Sequence, residues 1–104
     1  MQYEYDDDFI VNSLPQEELE RYETMAANEV AQFGFENEFY VKNLTICRTY
    51  MLAARAQIEA DGMDEKYKVY KEEFDRYMKQ AVANAAGNKK SGSTSIKTAP
   101  IGRG

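Results

Sequence analysis

The sequence predicts an all-α fold: a three-helix subunit with a long antiparallel helical hairpin and an extended C-terminal arm. Three observations carry this. Apolar residues from Leu14 to Ala86 recur at spacings of three and four, the period of a helix with one face turned inward. Gly34, Gly62 and Gly87 divide that pattern into three segments. From Gly87 to Gly104 the acids stop, and the composition turns to Gly, Ser, Thr and Lys. The expected organisation is a helical body over residues 1–86, with helices near 14–33, 38–61 and 64–86, and a flexible basic arm over 87–104.

The first helix opens at Ser13-Leu14-Pro15-Gln16, where Ser13 caps, Gln16 completes a capping box and Pro15 is tolerated in the first turn. Leu19, Tyr22, Met25, Ala26, Val30 and Phe33 supply its inner face, and Gly34 its left-handed stop. The second helix starts after the cap Asn37 and runs to Asp61. Tyr40, Leu44, Cys47, Met51, Ala54 and Ile58 form one stripe, with Phe39, Ile46, Tyr50 and Ala53 beside it. Together they cover about half the circumference, wider than the ~100° a surface helix needs, so a neighbouring copy is expected to cover what the chain cannot. The third helix follows a turn too short for anything but an antiparallel neighbour, with Asp64 as cap. Met63, Tyr67, Tyr70, Phe74, Tyr77 and Ala81 make a narrow lengthwise seam, and Asp64/Lys68, Glu72/Arg76 and Asp75/Lys79 are candidate ion pairs on its outer face.

Composition narrows the chemistry. The 104 residues contain no histidine and one cysteine, Cys47. This removes the usual general base, Ser-His and Cys-His nucleophiles, multi-thiolate zinc and any internal disulfide. Cys47 lies on an apolar stripe and reads as core. Asp6-Asp7-Asp8 could attract a hard cation, but three adjacent side chains diverge, and the glycine and terminal glutamate of a calcium loop are missing. The triplet reads as a solvated acidic leader. No catalytic residue, cofactor or metal is assigned, and the chain is expected not to be an enzyme. No apolar run is long enough to cross a bilayer, and the acidic N-terminus is unlike a signal peptide, so a cytoplasmic origin is expected. Asn43-Leu44-Thr45 matches a glycosylation sequon but falls within a helical pattern.

Charge is segregated. The first 86 residues hold all 18 acids and nine of the 13 bases, a net of −9, while the arm carries +4 and no acid. An acidic body repels nucleic-acid backbones, which leaves the arm as the contact element. The candidate partner-binding residues are Lys89, Lys90, Ile96, Lys97, Pro100, Ile101 and Arg103: bases for an acidic surface and isoleucines as anchors. Candidate subunit-interface residues are Phe39, Ile46, Arg48, Tyr50 and Arg55. Arg48 and Arg55, seven residues apart, share one helix face and are expected to meet acids of a neighbouring helix, in this chain or another subunit.

The capped first helix, the second helix carrying Cys47-Arg48-Thr49-Tyr50-Met51-Leu52-Ala53-Ala54-Arg55-Ala56, the tight turn, the charged third helix from Asp64-Glu65-Lys66-Tyr67 and the basic tail together resemble the head-tail connector, or adaptor, proteins of tailed bacteriophages. The resemblance is one of layout over most of the chain. It implies a virion structural protein, a homo-oligomeric ring of twelve copies beneath the portal in the phage neck. Its C-terminal segments would dock on portal, capsid or tail-side proteins, and DNA would pass through the lumen without specific binding. Family members often carry more between the first two helices than Gly34-Phe35-Glu36-Asn37. The alternative is a small regulatory binding protein whose arm contacts nucleic acid or an acidic protein surface, which would show salt-dependent DNA binding.

Overall fold

A computed structural model describes the backbone of residues 1–93 and the side chains of residues 1–87. Its elements are all α-helical: α1 (Asp8–Val11), α2 (Gln16–Ala31), α3 (Glu38–Ala56) and α4 (Met63–Ser93). α3 lies between α2 and α4, and the hairpin of α3 and α4 gives an elongated body of 53 × 24 × 19 Å.

α1 is an element that the sequence pattern does not predict. Asp7 caps it, accepting a hydrogen bond from Ile10 N at 3.3 Å, and the turn buries Ile10 completely. Its presence redirects Ser13, whose hydroxyl donates to Ile10 O at 2.7 Å and accepts from Gln57 Nε2 at 2.9 Å. Ser13 therefore closes α1 instead of opening α2, and the expected capping box does not form. Gln16 bonds Glu20 at 3.1 Å, and Pro15, which has no side-chain cap to offer, occupies the cap position. Gly34 takes the expected left-handed conformation, φ 74°.

Asn37 caps α3 as expected, its Oδ1 accepting from Phe39 N at 2.9 Å. The helix ends at Ala56, short of Asp61. Gln57 leaves the helical region (φ −124°, ψ 33°), and turn hydrogen bonds from Ala60 N to Gln57 O and from Met63 N to Ala60 O bend the chain toward Gly62, φ 85°. α4 then begins at Met63 and continues through Gly87 to Ser93, past the expected end at 86. A helical glycine costs about 1 kcal/mol relative to alanine. The alanines at 83, 85 and 86 favour the helix on the approach to it, and Gly87 has no positive φ to turn the chain. The composition break and the helix end are thus separate features. Of the expected i,i+4 pairs on α4 none forms; Lys71 meets Asp75 at 3.2 Å instead, and Lys66 turns inward.

The core has two centres. Around α1 and the start of α4, Ile10, Leu19, Tyr50, Ala53, Ala54 and Met63 pack together; at the opposite end Val30, Leu44 and Ala81 do so. The seam expected on α4 is realised, since Met63, Tyr67, Tyr70, Phe74, Tyr77 and Ala81 all join one centre or the other. Much of the apolar arc expected to need a sister copy is covered within the chain, while Phe39 and Ile58 of the same stripes stay 56% and 45% exposed. Leu44, Cys47, Tyr50, Met51, Ala53 and Ala54 are each at most 5% exposed within one chain. At the Tyr50 end the residues before α2 supply the cover, with Tyr5 meeting Tyr50 edge-on at 5.5 Å.

Candidate functional site

The most organised polar constellation is a clasp that binds residues 1–7 to the three long helices. Its first half is Glu23, on the inner face of α2 and 8% exposed. Gln2 N donates to Oε1 at 2.9 Å, Tyr3 N to Oε2 at 3.1 Å and the Tyr5 hydroxyl to Oε2 at 2.7 Å. The terminal amine of Met1 lies 3.6 Å from Glu20. A buried carboxylate needs such donors, because leaving a charge unpaired in the interior costs several kcal/mol. Burial works to raise the Glu23 carboxyl, but the Gln2, Tyr5 and Tyr3 donors and the terminal amine outweigh it and hold it below the usual carboxylate range.

The second half is Asp7, whose side chain is 7% exposed. While Oδ1 caps α1, Oδ2 accepts from Lys66 Nζ at 2.9 Å and from the Tyr70 hydroxyl, both on α4. Asp7 N donates to the Tyr50 hydroxyl at 3.0 Å, and the rings of Tyr50 and Tyr70 lie 4.3 Å apart. Burial alone would raise the Asp7 carboxyl; hydrogen bonds from Tyr70, Lys66 and Ile10 N reverse the sign and keep it ionised. The same burial raises the phenols of Tyr5, Tyr50 and Tyr70, so they act as neutral donors and acceptors. Reading Asp6-Asp7-Asp8 as a uniformly solvated leader is therefore wrong for its middle member. Asp followed three residues later by a buried apolar residue was the available signal for a capped turn, and it was obscured by the acids on either side.

The expected interface residues do not assemble into one face. Tyr50 is 2% exposed and belongs to the core, which corrects its assignment to a subunit interface. Ile46 is half-buried against the same centre. Arg48 meets Glu29 of α2 through Nε at 2.9 Å, the intrachain form of the expected pairing. Arg55 is exposed and has no ion pair among the described residues. Phe39 remains at the surface, 56% exposed, with its ring edge-on to Tyr40 and Tyr77. About 24 Å of helix separates it from Arg55.

Cys47 is core, 4% exposed, and burial followed by the nearby Glu73 pushes its thiol up to about 12. No described helix is long and apolar enough to cross a membrane. Lys89 and Lys90 lie on helical backbone, because α4 continues past them. Ile96, Lys97, Pro100, Ile101 and Arg103 lie outside the described residues. No family model matches the chain, and no curated protein or solved structure matches it either.

Proposed function

We propose that the chain is a non-enzymatic structural subunit of the head-tail connector type. In this reading it is a member of a homo-oligomeric ring in a phage neck, docking neighbours through its C-terminal segment. The observation that carries this reading is the mismatch of the hairpin. α3 has 19 residues and α4 has 31, spans of roughly 28 and 46 Å at helical rise. The side-chain bond between Asn37 and Asn84, at 3.4 Å, marks where the start of α3 is passed. Beyond Ala85, which still borders the 34–37 turn, α4 continues for about 12 Å and carries the basic segment away from an acidic body.

Two features support the assignment. The buried carboxylates and phenols are engaged with one another and with backbone donors, as suits a rigid building block. The excess of acids over the first 86 residues suits a conduit from which DNA is repelled. The test is native mass spectrometry of the full chain, alone and with its portal ring. A symmetric assembly in either condition is expected, and a monomer in both overturns the reading. Salt-dependent binding of free DNA would favour the regulatory alternative.

A further inference from the structure

At the end of the body opposite the projecting helix, α1 and the first turns of α4 leave an apolar groove uncovered. Phe9 is 50% exposed and Val69 is 49% exposed, in a domain whose other large side chains on these turns are packed inward. Between them the chain passes Gly62, where an added methyl would sit 3.4 Å from the Phe9 ring. Glu65, Lys66 and Val69 complete a shallow groove of about 380 Å³. The Lys66 ammonium lies 5.6 Å from the Phe9 ring centre, yet its charge is already matched by Asp7. Glu65 lines the groove, and Asp8, Asp61 and Asp64 adjoin Phe9, Gly62 and Glu65 in sequence; all four acids are exposed, and none has an ion pair among the described residues. The groove thus offers an apolar floor with surplus negative charge around it.

Resting on the self-assembly part of the function proposed above, we infer that this groove receives the C-terminal segment, residues 94–104, of a second copy of the chain. The segment has the complementary chemistry: Ile96 and Ile101 as apolar anchors, Lys97 and Arg103 as bases, and no acid. Reach excludes the same chain as donor. From Val69 to Ser93 the helix advances roughly 36 Å, whereas residues 94–101 span at most about 29 Å when fully extended. Ile96, at most about 11 Å beyond Ser93 even in extended chain, cannot return to its own groove together with Ile101, but both can enter that of a neighbour. The contact is head-to-tail, so repetition gives a ring if the rotation closes and a filament if it does not.

The test uses two single variants of the full chain, Val69→Cys and Ile101→Cys, mixed under mild oxidation; the native Cys47 is buried and slow to react. A disulfide-linked dimer that forms only in the mixture is expected. Adding Phe9→Ser to the Val69→Cys chain should weaken association about tenfold, equivalent to roughly 1.4 kcal/mol, with the helical circular-dichroism signal unchanged. Absence of the mixed dimer overturns the inference. So does a symmetric Val69→Cys dimer without it, which would place a sister body on the groove. Mixed dimers in a protein that fails to join a portal ring would retain the self-docking and reject the neck assignment; portal-bound rings without the crosslink would do the reverse.

Discussion

Replacing Asp7 tests whether one carboxylate holds the leader on the body. Asp7→Asn keeps an oxygen able to cap α1 but removes the charge that Lys66 and Tyr70 address. The Lys66 partner is 36% exposed, so solvent screens the ion pair and its loss costs no more than about 0.5 kcal/mol. Weakening the charge-assisted bond from Tyr70 adds about 1 kcal/mol. Asp7→Ala removes the cap as well, a further ~1 kcal/mol, and leaves the Tyr70 hydroxyl without its acceptor. The expected losses are therefore about 1.5 kcal/mol for the amide and about 3 kcal/mol for alanine. In a domain of this size they correspond to Tm decreases on the order of 10 and 20 °C.

Thermal melts followed by far-UV circular dichroism near neutral pH measure both. The effect depends on pH. The native Asp7 carboxyl titrates below its unfolded value of about 3.9, so its contribution is complete above that pH and is lost as pH falls through the native value. The gap between wild type and Asp7→Asn should thus shrink in acid. A gap below about 0.5 kcal/mol at neutral pH, or one that stays constant down to the native titration range, would refute the reasoning.

Glu23→Gln should destabilise by about 1–2 kcal/mol and free the leader, seen as faster amide exchange at Gln2 and Tyr3; unchanged exchange would show that the backbone bonds do not depend on the charge. Gly87→Ala should raise stability or helicity modestly, by up to about 1 kcal/mol, because the site is helical and an added methyl meets nothing within 4 Å; a loss of helicity would argue for a stop there after all. Leu44→Ala, at a completely buried position, should cost about 2–5 kcal/mol in urea denaturation, and a cost below 1 kcal/mol would contradict the core assignment. Cys47, with its thiol raised to about 12, should react with a disulfide reagent on the order of a hundredfold more slowly in folded than in denatured protein.

Where one helix face pointed to one neighbour, the sequence was readable. The alternating seam from Met63 to Ala81, the Asn37 cap and the left-handed glycines at 34 and 62 follow from local rules, and the structure realises each of them. The wide arc on α3 is legible as a surplus of apolar surface, but the sequence does not say which part of the chain covers it. At the Tyr50 end the cover comes from residues 1–14, whose acids and short length give no period to detect, and at the Leu44 end from α2 and α4. Asp7 and Glu23 look like solvated acids in sequence because their donors are 63 and 21 residues away, at Tyr70 and Gln2. Nothing local encodes such pairings. Ser13 shows the converse error, a sound local signal whose hydroxyl was diverted by a turn that only tertiary packing reveals.

The clasp also sets an order of events during synthesis. Asp7 is translated 59 and 63 residues before its fastening points Lys66 and Tyr70. At ~5–20 residues per second, several seconds pass before the Asp7 carboxylate has its partners on α4. The Asp7 half of the clasp accordingly closes last, once the final helix has largely emerged.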